Sequence, residues 1–218
     1  MKFHVVTIFP GSLDSYVNTS MLRRAQELKK IVIKYVNPRD YSKDPHEKVD
    51  HRPYGGGPGM VMTAQPIVDA VAKLTKKANP KRKIILFSPS GKQFTNATAK
   101  TFAKKYNEIV FICGHYEGID ARVKKILKAE EYSVGPYVLT GGEIPALICI
   151  DSISRQIDGV LKRGDSLEET RVSTSEVYTR PEVFTYKGKN YKVPKVLLSG
   201  HQKKIDEWKA GKKGVGKA

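Results

Sequence analysis

EYSVGPYVLTGGEIPA (131–146) begins as a strand, breaks at Gly135-Pro136 and again at Gly141-Gly142, and re-enters regular structure at Glu143. The helix that follows, EIPALICIDSISRQI (143–157), is signalled by Thr140 and Glu143 at capping-box spacing and by Pro145 in the first turn, where proline costs little. The same arrangement occurs twice upstream. FSPSGKQFTN (87–96) and EIVFICGHYEGID (108–120) each carry a buried strand into a glycine-bearing turn. Strands alternating with helices predict an α/β domain with a largely parallel sheet. Three such turns at strand ends predict a small-molecule site at the carboxyl edge of that sheet.

Working outward, KFHVVTIF (2–9), IVIKYV (31–36) and KIILFS (83–88) read as further strands. SMLRRAQELKK (20–30) reads as an amphipathic helix capped by Ser20, and TAQPIVDAVAKLTKK (63–77) as a second helix. Between them, NPRDYSKDPHEKVDHRPYGGGPG (37–59) has no periodicity, and a loop of that length inside a compact domain is usually functional or disordered. After Leu161 the apolar residues thin out. The organisation expected is a domain over 1–161, an interdomain linker over 162–177, and a small helical C-terminal domain over 178–218. Its last helix is expected from about His201, with Ser199 and Gln202 at capping-box spacing, before a frayed basic tail.

The charge is informative. A net +17 exceeds what a fold needs and points to a polyanion as partner. KLTKKANPKRK (73–83) and the C-terminal stretch from His201 concentrate it, although a lysine-decorated surface is the plainer alternative. Cys113 and Cys149 lie in apolar runs and read as buried reduced thiols, which fits the cytoplasm. MKFHVVTIFPG reads as a strand rather than a signal peptide, and no apolar run approaches the ~20 residues that span a bilayer. No membrane is expected among the partners.

DHRPYGGGPGM (50–60) looks at first like a phosphate cradle. It lacks the Lys-Ser/Thr that would complete a P-loop, and no G-x-G-x-x-G follows a strand elsewhere. Backbone-rich turns with few charged side chains suit a neutral, flat group such as adenine instead.

Taken together and in order, DHRPYGGGPGMVM, FSPSGKQF, CGHYEGID, SVGPYVLTGGEIPA and YTRPEVF closely resemble the TrmD-type tRNA (guanine-N1-)-methyltransferases. VPKVLLSGHQKKIDEW (193–208) matches that family's C-terminal segment, and the resemblance runs from residue 1 to about 209. It implies the SPOUT fold, a mostly parallel α/β sheet with a deep trefoil knot, here roughly 84–145. It further implies S-adenosylmethionine held by the knot turns, and methylation of N1 of guanosine 37 in the tRNA anticodon stem-loop. Homodimers sharing each active site between chains are implied as well.

Carried over by resemblance, the cofactor-binding positions are Pro89, Gly114, Glu117, Val134, Gly135, Pro136, Tyr137, Val138, Leu139 and Gly141. The general base is Asp165, in an Asp165-Ser166 pair on the linker, and its cationic partner is Arg155. Arg52, Gly59 and Ser166 fall on the substrate side, and Glu117 is a candidate to help hold Mg2+. The residues alone leave plainer readings open. The glycines suit tight turns, Asp165 in GDSLEE suits a helix N-cap, and Arg155 stands four residues after Asp151, at ion-pair spacing. His4 and His115 read as structural or surface residues.

Some positions depart from the family pattern. Pro136 replaces a commonly acidic residue, His115 a basic one, and His51 a second Asp before Arg52-Pro53-Tyr54. Two rival functions remain: a non-catalytic RNA-binding homologue, and a SPOUT methyltransferase acting on another RNA base.

Overall fold

The computed structural model describes residues 1–161 and 176–211. The chain divides into two compact units, Met1–Lys162 and Arg163–Ala218. In the first, β1 (Lys2–Val6) is followed by α1 (Asp14–Val17), α2 (Ser20–Glu27) and β2 (Val32–Val36). A two-stranded ribbon, β3 (Asp50–His51) and β4 (Val61–Met62), leads into α3 (Ala64–Leu74) and the long β5 (Arg82–Gln93). Then come α4 (Asn96–Lys105), β6 (Glu108–Ile112), α5 (Arg122–Leu127), β7 (Glu130–Ser133) and α6 (Glu143–Arg155).

Five strands form one sheet in the order β2-β1-β6-β5-β7, and every pair is parallel. The mostly parallel α/β sheet expected from the alternation is therefore present. Central β6, Glu-Ile-Val-Phe-Ile, is buried at all five positions because helices cover both faces of the sheet. Its side chains divide by the period of two. Ile109 and Phe111 enter a core with Phe3, Ile85 and Ile150 from α6, while Val110 and Ile112 enter a second core with Ile67 and Val71 from α3. Phe111 stacks between Phe3 and Phe87, with ring centroids 6.1 and 5.7 Å away. Both cysteines are free and buried in the first core.

Strand β5 is longer than its apolar run predicts. Its register against β7 shifts, so that Phe87 and Lys92 both pair with Tyr132. Gly91 makes this wrap possible, since a Cβ there would lie 2.7 Å from the Tyr132 backbone nitrogen. The irregular segment 37–59 is also ordered. A 3-10 turn at Pro38–Tyr41 is capped by the Asn37 side chain, which accepts from the Arg39 amide at 3.1 Å. RPYGGGPG then forms the open end of the β3–β4 ribbon, with Gly55, Gly56, Gly57 and Gly59 all at positive φ.

Three expected caps are built otherwise. Ser20 starts α2 with φ +46° and does not cap it; Thr19 is the N-cap residue, and its hydroxyl donates to the Tyr16 carbonyl. Gly142, not Thr140, precedes α6, and Glu143 turns inward. Ser199 accepts from the His201 amide rather than from Gln202.

The second unit is not helical alone. β8 (Val183–Tyr186) and β9 (Lys189–Lys192) form an antiparallel hairpin ahead of α7 (Lys195–Leu198) and α8 (Gln202–Gly211). Lys187 and Gly188, at φ +48° and +72°, make the two-residue turn whose twist suits a hairpin.

Candidate active site

Because the sheet is parallel, β5, β6 and β7 end on one edge, and a cavity of about 340 Å³ opens there. That volume falls in the range of small-molecule sites, ~300–1,000 Å³. Its walls come from Leu86–Pro89 within the long β5, Gly114–Ile119 after β6, Tyr132–Gly135 at the end of β7, Tyr137–Gly142 after it, and Pro145 in the first turn of α6. Glycine is required at several of these places. A Cβ on Gly141 would lie 2.4 Å from His115 Cε1, and one on Gly142 would lie 2.5 Å from the Cys113 Cα. The Tyr137 ring folds over Gly135, leaving a Cβ there 2.2 Å from the ring, and its hydroxyl donates to the Val134 carbonyl at 3.2 Å.

The floor holds a polar cluster. Glu143 is 8% exposed, and His115 Nε2 sits 2.9 and 2.8 Å from its two carboxylate oxygens. The Thr7 hydroxyl donates to the same carboxylate, and the Phe9 amide donates to Thr7 Oγ1 at 2.9 Å. The Phe9 ring meets the His115 ring edge-on at 4.9 Å. The carboxylate of Glu143 and burial together raise the Cys113 thiol well above its ordinary range, burial being the larger cause. Cys113 is therefore an inert core thiol rather than a nucleophile.

The ribbon docks on the turn after β6. The Glu117 amide donates to the Met60 carbonyl at 3.0 Å, Met62 donates to Gly118, and Asp120 donates to Met62. Gly59, at φ +80°, lies against the Glu117 side chain, where a Cβ would come within 2.5 Å of Oε1.

The family model for tRNA (Guanine-1)-methyltransferase TrmD matches residues 1–215. The chain belongs to this family. A tRNA (guanine-N(1)-)-methyltransferase of Clostridioides difficile (strain 630) is 46% identical over 214 residues, covering 96% of this chain and 90% of the relative. One from Caldicellulosiruptor saccharolyticus is 49% identical over 213 residues, covering 96% and 84%. One from Bacillus cereus (strain AH820) is 43% identical over 213 residues, covering 96% and 85%.

Against the TrmD pattern, the structure brings together Pro89, Gly114, Glu117, Val134, Gly135, Tyr137, Val138, Leu139 and Gly141 around one cavity, while Pro136 does not line it. Arg52 is exposed on the ribbon, and Gly59 stands between the ribbon and the cavity residue Glu117. Arg155 ends α6 half-buried and forms no ion pair with any described residue; Asp151 accepts from the Tyr16 hydroxyl at 2.8 Å instead. Asp165 and Ser166 lie outside the described residues. Sequence reasoning missed the His115–Glu143–Thr7 cluster. The Thr140-to-Glu143 spacing suggested a cap for Glu143, and only the inward apolar spacing of α6 hinted that its first turn faces the sheet.

Proposed function

We propose that this chain, a tRNA (guanine-N1-)-methyltransferase by family, takes its methyl group from S-adenosylmethionine and acts on guanosine 37 of the anticodon loop. The observation that carries the cofactor is the cavity wall. Gly135, Gly141 and Gly142, which admit no Cβ, together with Val134, Val138 and Leu139 leave a mostly apolar slot suited to an adenosyl group, with Glu117 also among its lining residues. When bound, S-adenosylmethionine supplies an electrophilic methyl on a sulfonium.

N1 of guanine carries a proton, so its lone pair must be freed before attack. In this reading Asp165 takes that proton, and Arg155 stabilises the negative charge that builds on O6. An ordinary Asp has a pKa of ~3.9 and is a weak base for a lactam, so much of the rate depends on Arg155. Arg155 stands ten residues beyond the cavity-lining Pro145, about 15 Å along α6 at 1.5 Å per residue. That distance favours a site completed by a second protomer. Ile144 and Ile148, one turn apart on α6, are exposed large apolar side chains fit to be covered in a homodimer. Residues 1–161 would be the catalytic domain, 162–177 the linker bearing Asp165 and Ser166, and 178–218 the tRNA-binding domain.

The trefoil knot belongs to the same reading. It is supported by the wrap of β5 around Tyr132 and by the return of the chain from β7 to Gly114, where the Gly142 amide donates to the Gly114 carbonyl at 3.0 Å. Magnesium has less support. Among the described residues no three His, Cys, Asp or Glu side chains gather as a metal site, so Glu117 would need donors from the RNA, and no step is routed through a metal. No helix among the described residues is long and apolar enough to cross a membrane, and in this reading a tRNA-modifying role supports a cytoplasmic location.

The test compares a tRNA transcript bearing guanosine 37 with one bearing adenosine there. The expected result is 1-methylguanosine only in the first. Cofactor binding without product on any tRNA would leave an RNA-binding homologue, and equal methylation of both transcripts would move the target to another base.

A further inference from the structure

Resting on the reading of this chain as a tRNA methyltransferase, we propose that the β8–β9 hairpin is a stacking platform for unpaired nucleobases of the tRNA. Phe184 pairs directly across from Tyr191, and Tyr186 across from Lys189. Alternation then puts Phe184, Tyr186, Tyr191 and Lys189 on one face of the ribbon. The three rings are 58%, 54% and 50% exposed. Lys187 sits 5.5 Å from the Tyr186 centroid and Lys189 5.5 Å from the Tyr191 centroid.

A two-stranded hairpin is marginal in water, and one that leaves its aromatic residues uncovered does not use them for its own core. Charge selects the occupant. From Val183 to Ile205 the chain carries Lys187, Lys189, Lys192, Lys195, Lys203 and Lys204 and no aspartate or glutamate. Rings flanked by lysines and free of acids match a polyanion with flat faces, and each base of a single strand has a face to stack. A duplex hides those faces, so the platform takes loop or bulge nucleotides, whereas lysines alone would grip any phosphate backbone.

The experiment measures binding of the full chain to an anticodon stem-loop RNA and to a blunt duplex of equal charge. F184A/Y191A is expected to weaken stem-loop binding about tenfold, the scale of one lost base–aromatic stack. Duplex binding and the salt slope should stay near wild type. Restoring rings as F184Y/Y191F should recover the affinity, which separates stacking from a misfolded hairpin. Photocrosslinking of 5-bromouridine-substituted stem-loop to wild-type protein should place adducts on Phe184, Tyr186 or Tyr191. Equal loss on stem-loop and duplex, or a shift to monomer in F184A/Y191A, would overturn the proposal in favour of a phosphate grip or a subunit contact. Adducts confined elsewhere would overturn it too. Wild-type methylation of the guanosine 37 transcript is measured alongside, so failure of the enzymatic reading shows separately.

Discussion

Gly141 shows how much of the site depends on the absence of one methyl group. Its backbone does not need a left-handed conformation, so alanine there meets only a steric obstacle: His115 Cε1 at 2.4 Å and Glu143 Oε2 at 2.5 Å. Both atoms belong to the hydrogen-bonded pair on the cavity floor and cannot withdraw without breaking it. Overpacking of this kind costs about 1–3 kcal/mol, which taken from binding is about fivefold to a hundredfold in a binding constant. Gly141→Ala should therefore weaken S-adenosylmethionine binding by about that factor in calorimetry while the fold persists. Binding should partly return in a Gly141→Ala/His115→Ala chain, where the ring is gone. Unchanged binding in the single variant would mean that the floor is softer than its hydrogen bonds suggest.

Among the elements, the strands meet acid stress at their amino ends, opposite the cavity. Glu108 opens β6, and its carboxylate accepts from Asn79 at 2.8 Å and Arg82 at 2.7 Å, with His4 Nε2 at 3.0 Å. Burial by itself pushes Glu108 up, but the Asn79 and Arg82 bonds together hold it below its ordinary value. His4 is held below its own, chiefly by burial, against the pull of Glu108 and with Lys34 and Arg82 adding to the depression. Both groups take up protons more readily when unfolded, so both signs agree. Stability should be full above about pH 6.5, where an unfolded imidazole titrates, and should decline as pH falls through the folded values of His4 and then Glu108. Urea midpoints across pH 4–8 check this, and Glu108→Gln should flatten the acid limb. The strands and principal helices themselves were legible because period-two and period-3.6 patterns are local. The inward Glu143 was not, because its partner Thr7 stands 136 residues away. The hairpin in the second unit had a readable signal, a Lys-Gly pair between alternating aromatic residues, which the expectation of a small helical domain over 178–218 passed over.

At the scale of the whole molecule, the placement of charge limits how RNA can be held. The basic run at 73–83 leads into the amino end of β5, so it lies at the sheet edge away from the cavity, and Arg82 and Lys83 are taken by Glu108 and Glu130. Its remaining lysines are poorly placed to hold RNA over that cavity. If each active site joins the knot of one chain to Asp165 of the other, two separately inactive chains should complement. Random reassortment of Asp165→Ala with Gly114→Val chains should yield about a quarter of wild-type activity, since half the dimers are mixed and each carries one competent site. Absence of any activity in verified heterodimers would place both halves of the site in one chain. Family membership was legible from the whole set of motifs, while the crowding at Gly141 and the docking of Gly59 on Glu117 needed three dimensions. Composition and periodicity say nothing about which distant side chain fills the space beside a glycine.

The cavity wall between Val134 and Gly142 includes Gly135, Gly141 and Gly142, where the main chain itself is the surface, and this bears on how the protein can change. An inhibitor resting on these glycines would press there on peptide groups, which a codon change does not remove. The positions where a substitution would intrude, Gly135 and Gly141, already have a ring or a hydrogen-bonded pair within 2.4 Å of any added carbon. A mutation that expelled the inhibitor there would expel the natural ligand with it, leaving the organism little room to evolve resistance at this wall.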